Sequence, residues 1–335
     1  SNFTNNSLVA GKTLTFNAGV IANSLTATRN WQIDGPGETI INGDFTTSTA
    51  FGVNLIKTGD GILTLGTNGA TSNWNQAGNN VDVDRGTLKF TADNAIPTAS
   101  GTNGGLTISP ETLDVDTATA DTATVDFNGT TQTVNALTAT SNGILVLDNT
   151  SADAATFRFG ANDSTVNFGS GVGSYTIQNT GAGALSLVKL GNTTATFISG
   201  ITLGHKGVTA SEGGGVFTIA SPVTATTGLR AIEGSALILS GGLPNGNLVT
   251  SIEVGGGSTL SLLDGAGSQF SSLITLNLGN TGAGTVTLNL NVGDLNTNTD
   301  RLNTDTLTLL TGGVLNLPDT ITFNMHDAGL NANHT

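Results

Sequence analysis

One phrase recurs along this chain and constrains its fold more than any other feature. A glycine is followed by a short run in which apolar side chains alternate with small or polar ones. Instances are Gly11-Lys12-Thr13-Leu14-Thr15-Phe16, Gly61-Ile62-Leu63-Thr64-Leu65, Gly86-Thr87-Leu88-Lys89-Phe90 and Gly143-Ile144-Leu145-Val146-Leu147. Further copies start at Gly215, Gly234, Gly257, Gly284 and Gly313, at intervals of 19, 23, 27 and 29 residues. Alternation puts every second side chain on one face of a strand. A repeat of this length marks a stacked array of short units.

The physical reading is all-β, a right-handed parallel β-helix (β-solenoid). Each coil contributes two or three short strands, and each strand pairs with its counterpart in the next coil. Inward Leu, Ile, Val and Phe stack into a column, while outward Thr, Asn, Ser and Asp meet water. Within Ile62-Leu63-Thr64-Leu65 this predicts Leu63 inside and Thr64 outside. About 13 coils at ~4.8 Å each would make a rod on the order of 60 Å long. An antiparallel sandwich is the alternative, but its turn signals come every 8–12 residues, closer than the glycine-led phrases here.

Composition supports strands and turns. The 335 residues include 47 Gly, 57 Thr and 36 Asn, and only 10% are charged. Thr favours strands, whereas Gly and Asn supply turn conformations. A largely helical protein is excluded. The formal net charge of −14 repels phosphate backbones, so no nucleic-acid partner is expected. With 37% hydrophobic residues in alternating runs, the chain can bury a core and is not expected to be disordered. It has no cysteine, which excludes a disulfide framework. No run approaches the ~20 apolar residues of a membrane span, so no transmembrane segment is expected. Nor does the start at Ser1 resemble a secretion leader. Residues 82–163 carry ten Asp, Glu111 and three basic residues. They read as an acidic stretch within one continuous domain, residues 1–335.

Residues 56–90 carry a more specific pattern. Lys57-Thr58-Gly59-Asp60-Gly61-Ile62-Leu63-Thr64-Leu65 is followed by Trp74, Gly78, Val81 and Gly86-Thr87-Leu88. This resembles the passenger-associated transport repeat of bacterial autotransporters, also called the autotransporter-associated β-strand repeat. Lys57, Gly59, Gly61, Leu63, Leu65, Gly86, Thr87 and Leu88 match that pattern residue by residue. Trp74 stands where the family usually has Tyr. A weaker echo is Lys189-Leu190-Gly191-Asn192-Thr193, which lacks the second Gly. The resemblance implies a β-helix displayed on the bacterial cell surface, and a chain that is a segment or processed product of a longer surface protein.

Residues that could carry chemistry are few. Two Asp-x-Asp pairs, Asp82/Asp84 and Asp114/Asp116, each put two carboxylates on one strand face about 7 Å apart. Such oxygen-rich pairs are candidate calcium ligands, and on a β-helix they could also act on polysaccharides. The competing reading is a solvated acidic face. His205, in Gly204-His205-Lys206-Gly207, reads as a turn residue, and His326 and His334 are isolated. Arg29, Arg85, Arg158, Arg230 and Arg301 lie far apart in sequence. Gly213-Gly214-Gly215 and Gly255-Gly256-Gly257 lack the Lys-Ser/Thr of a phosphate loop and read as tight corners.

The expected function is a non-enzymatic extracellular structural or adhesive protein of the bacterial cell surface. Its partner would be another copy of itself or a ligand on a host or neighbouring cell, and no cofactor other than Ca²⁺ is called for. The alternative is a carbohydrate-active β-helix enzyme, a polysaccharide lyase or glycoside hydrolase, with Asp114 or Asp116 in its groove.

Overall fold

The computed structural model describes the chain apart from residues 1, 8–11, 18–19, 22–28, 44, 47–52, 67–79, 97–101, 104–105, 108–111, 118–120, 164–165, 171–172, 245–247, 263–268, 280, 293–305, 319 and 328–335. Trp74 and Gly78 of the repeat pattern, together with Arg301 and His334, lie outside the described residues. Among the described residues the protein is all-β, with one short 3-10 turn at Ala161–Asp163. No described helix is long and apolar enough to cross a membrane. The chain forms two compact units, Ser1–Leu185 and Ser186–Thr335.

In the first unit, successive strands are dealt in turn to parallel sheets, two of which run through most of it while Thr131–Thr133 and Ala155–Phe159 begin a third. One contains Asn2–Thr4, Arg29–Asp34, Val53–Lys57, Asn80–Val83, Thr112–Thr117, Ala136–Ser141 and Val166–Ser170. The other contains Thr13–Phe16, Glu38–Ile41, Ile62–Leu65, Gly86–Phe90, Thr122–Asp126, Ile144–Asp148 and Ser174–Gln178. Parallel neighbours cannot be joined by a tight hairpin. The glycine-led phrases therefore return to the same sheet after visiting another. One small antiparallel pair, Thr102–Asn103 with Leu106–Thr107, departs from this order.

Register produces the core. Thr39, Leu63, Leu88, Val125, Leu147 and Ile177 are in-register neighbours across the second sheet, and all six are fully buried. A phenylalanine stack runs alongside, with ring centroids 6.1 Å apart for Phe90–Phe127, 4.8 Å for Phe127–Phe157 and 5.3 Å for Phe157–Phe159. Tilted aromatic pairs at such separations add stability beyond their buried area.

The second unit repeats the scheme. Thr194–Phe197, Val216–Ile219, Ala236–Leu239, Thr259–Ser261, Val286–Val292 and Ile321–Asp327 form one parallel series. Leu185–Lys189, Val208–Ser211, Gly228–Ala231, Ser251–Val254, Gln269–Leu278 and Thr306–Asn316 form another. At the ends of the two series, Leu315 and Phe323 in the last strands and Leu317 just past one of them are about half exposed.

Two expectations about inside and outside need correction. Leu63 is inside, but Thr64 is also buried, at 4% exposure. Its in-register neighbours are Ile40 and Lys89, and a short hydroxyl between two longer side chains loses its water. The interior is also less aliphatic than alternation implies. Lys57, Gln132, Asn149, Lys189, His205, Thr209 and Thr226 are all buried. Several of these lie at strand ends, where the chain turns and backbone groups need partners from side chains.

Candidate functional site

The repeat pattern at residues 57–88 builds one local device. Lys57 ends its strand in register with Ile33 and Val83, so its side chain starts from an aliphatic column and is only 2% exposed. Its ammonium reaches the turn beyond, donating to the carbonyls of Thr58 at 2.6 Å, Gly59 at 2.7 Å and Arg85 at 3.2 Å. Burial pushes the Lys57 ammonium down to about 8, against the opposing pull of Asp34 and Asp60. Gly86, the first residue of the strand Gly86–Phe90, closes the cup. A Cβ there would collide with the Gly59 carbonyl oxygen and come within 2.7 Å of Lys57 Nζ, and φ is +80°.

The weaker echo folds the same way. Lys189 is fully buried and its ammonium donates to the Gly191 carbonyl. Gly215 takes the place of Gly86, since a Cβ there would strike Lys189 Nζ and the Thr193 carbonyl. The lysine of the pattern is thus a tethered cation that satisfies turn carbonyls. A buried, hydrogen-bonded lysine of this kind holds a corner and offers no accessible nucleophile.

Around the first cup lies a charged edge. Arg85 Nε pairs with Asp60 at 2.6 Å and Arg85 Nη1 with Asp121 at 3.6 Å. The Asp-x-Asp pairs belong to the sheet that carries Lys57, with Asp84 one residue past the end of its strand. Register places Asp114 directly beside Asp82 on the neighbouring strand, with Ile56 on the far side of Asp82. Asp84 donates its backbone N–H to the Lys57 carbonyl at 2.9 Å, and Asp82 and Asp84 are half-buried. Asp116 pairs with Thr140. The side chains of Asp114, Asp116 and His326 lie outside the described residues. Among the described residues no group of three or more His, Cys, Asp or Glu is arranged to hold a metal.

A polar corner that the sequence reading did not single out occupies residues 126–184. Asp126 accepts from the Asn128 N–H at 2.9 Å and the Thr150 hydroxyl at 2.7 Å. Asp148 repeats this one strand later, accepting from the Thr180 N–H at 2.9 Å and the Thr180 hydroxyl at 2.8 Å. Between them Asn149, fully buried, accepts from the Gly129 N–H at 2.8 Å. It donates to the Asp153 carbonyl at 2.9 Å and the Gly183 carbonyl at 3.0 Å. The recurrence of Asn-Thr at 149–150 and 179–180 was the available signal.

The dispersed arginines and His205 have separate fates. Arg230 lies in register beside Glu253, and pairs with it at 3.0 Å and with Glu212 at 3.1 Å. His205 lies between the strands Thr202–Leu203 and Val208–Ser211, as a turn residue does, but it is not on the surface. It is completely buried, with Nε2 2.8 Å from Thr209 Oγ1. Comparison of the chain with protein-family models, curated proteins and solved structures finds no match.

Proposed function

We propose that each unit is a right-handed parallel β-helix and that the protein is a non-enzymatic structural or adhesive component of a bacterial cell surface. Parallel strands that return to their own sheet after visiting another favour this winding, and crossovers between parallel strands are right-handed in ~98% of cases. The observation that carries the functional reading is the contrast between the two sides of the sheets. Apolar side chains stack inward in register. Outside, amides bridge successive strands, Asn54 to Asn30 at 3.0 Å, Asn42 to Asn17 at 3.2 Å and Asn324 to Asn289 at 2.8 Å. Such a surface supplies regular hydrogen-bonding positions for a partner. The lysine–glycine cup adds support through its match to the autotransporter repeat pattern. The exposed Leu315, Leu317 and Phe323 favour self-association as one form of that role.

The test pairs binding with turnover. The purified chain should bind a cell-surface ligand or itself, by glycan array, cell adhesion and sedimentation, and should leave pectin, alginate and host glycans uncleaved. Turnover of any of these, abolished by Asp114→Asn or Asp116→Asn, would replace this reading with the carbohydrate-active enzyme.

Calcium binding by Asp82, Asp84, Asp114 and Asp116 is a second reading, favoured by the register of Asp82 with Asp114. Like charges directly opposite one another destabilise a sheet, and a divalent cation would relieve that repulsion. Calorimetric titration with Ca²⁺ should show binding that Asp82→Asn weakens; absence of heat up to millimolar Ca²⁺ removes this reading.

A further inference from the structure

In the second unit a closed hydrogen-bond chain runs through the interior, and its direction is determined by its end. The Thr226 hydroxyl lies 2.9 Å from the Gly207 carbonyl and 3.0 Å from that of Gly228. Carbonyls only accept, so Thr226 donates there. Thr209 then donates to Thr226 at 3.0 Å, and its oxygen is left to accept from His205. The other tautomer would bury an Nδ1–H donor with no acceptor among the described residues, so the imidazole carries its proton on Nε2. Nδ1 is buried with no hydrogen-bond partner among the described residues, and its lone pair faces a dry interior.

The same segment is tied to the next coil by a bridge between Leu203 and Val223, by the pairing of Val208 with Gly228 and by four bonds from Thr224 and Thr227. Thr224 donates its N–H and its hydroxyl to the Leu203 carbonyl at 2.9 and 2.7 Å. Thr227 donates its hydroxyl to the Lys206 carbonyl at 2.9 Å and its N–H to the Gly207 carbonyl at 3.1 Å. Ionisable groups on the surrounding elements do not offset a charge at the ring. Lys189 is turned to the Gly191 carbonyl, Lys206 is exposed, and Glu212 and Glu253 are each paired with Arg230.

We propose that His205 is an acid-operated latch: a proton on Nδ1 finds no acceptor, drives the ring out of the interior and releases residues 202–209 from residues 224–228. Burial, the sole cause of the shift, lowers the imidazole from 6.5 to about 4. The sign follows from linkage. Between pH 6.5 and 4 the opened segment binds a proton that the closed one does not, so opening gains about tenfold per pH unit as pH falls through that window. Above 6.5 the latch is fully closed.

The absence of cysteine permits a direct readout. Ala210, buried beside Thr209, is replaced in Ala210→Cys, and its labelling by dithiodipyridine is measured from pH 7 to 4 relative to free cysteine. Open-state labelling should climb about tenfold per unit below pH 6.5 and level off near 4. In the same background His205→Gln, which cannot titrate, should give a flat profile. A parallel rise in both proteins, or a rise in neither, overturns the latch. Should the Gln variant not fold, ¹⁵N-histidine spectra of the unaltered protein decide, assigned with His326→Gln and His334→Gln. A neutral Nε2–H imidazole at pH 5 supports the latch, and a His205 that titrates near 6.5 in the intact fold overturns it.

Discussion

The Lys57 ammonium donates to the Gly59 carbonyl 2.7 Å away from inside an aliphatic column, with Ile33 and Val83 as its in-register neighbours. A cation in that position is held by turn carbonyls and opposed by its own desolvation, and the two effects have separable signatures.

The first signature is pH-dependent stability. Lys57 holds its proton less tightly when folded, about 8 against 10.5. Between those values the unfolded chain binds the extra proton, so stability rises with pH through that window. Wild type should gain roughly 1–3 kcal/mol relative to Lys57→Met between pH 8 and 10.5. Urea melts of both proteins across this range check it, and a constant gap would show that the ammonium is solvated.

The second concerns the lid of the cup. Gly215→Ala should cost about 2–4 kcal/mol, because the added Cβ occupies the space of the Lys189 ammonium and the Thr193 carbonyl and over-packing has no room to relax. Gly86→Ala should cost at least as much, having the left-handed conformation to bear as well. Thermal melts rank the two.

Position 64 separates burial from polarity. Leu63→Asp should be severely destabilising, by several kcal/mol. Thr64→Asp should also be costly. Thr64→Val, however, should be neutral or stabilising by up to ~1 kcal/mol, since the Thr64 hydroxyl is buried without a partner among the described residues. Loss of more than ~1 kcal/mol in the valine variant, by chemical denaturation, would mean that the hydroxyl is hydrogen-bonded.

Asn149 tests the polar corner. Asn149→Ala leaves the Gly129 N–H and the Asp153 and Gly183 carbonyls without this partner, and should cost ~2–4 kcal/mol. Asn179, which donates to the same Gly183 carbonyl at 2.7 Å but is only half-buried, should cost less when replaced by Ala. Equal losses would remove the special weight given to burial.

Strand content, the return of each phrase to a parallel neighbour and the inward placement of Leu63, Leu88, Val125 and Leu147 were legible from the residues alone. Alternation and glycine spacing are local properties, and the chain's covalent order carries them whatever the fold. The match of Lys57, Gly59, Gly61 and Gly86 to a repeat pattern was legible too, though not its meaning. Only the stacked structure decided that Lys57 and Lys189 turn inward to carbonyls, that Thr64 is covered, that Asp114 stands beside Asp82 and that His205 is dry. Each of these depends on which residue of a neighbouring strand lies across from it. That register is set by the summed packing of strands some 20–40 residues apart, and no window along the chain contains it.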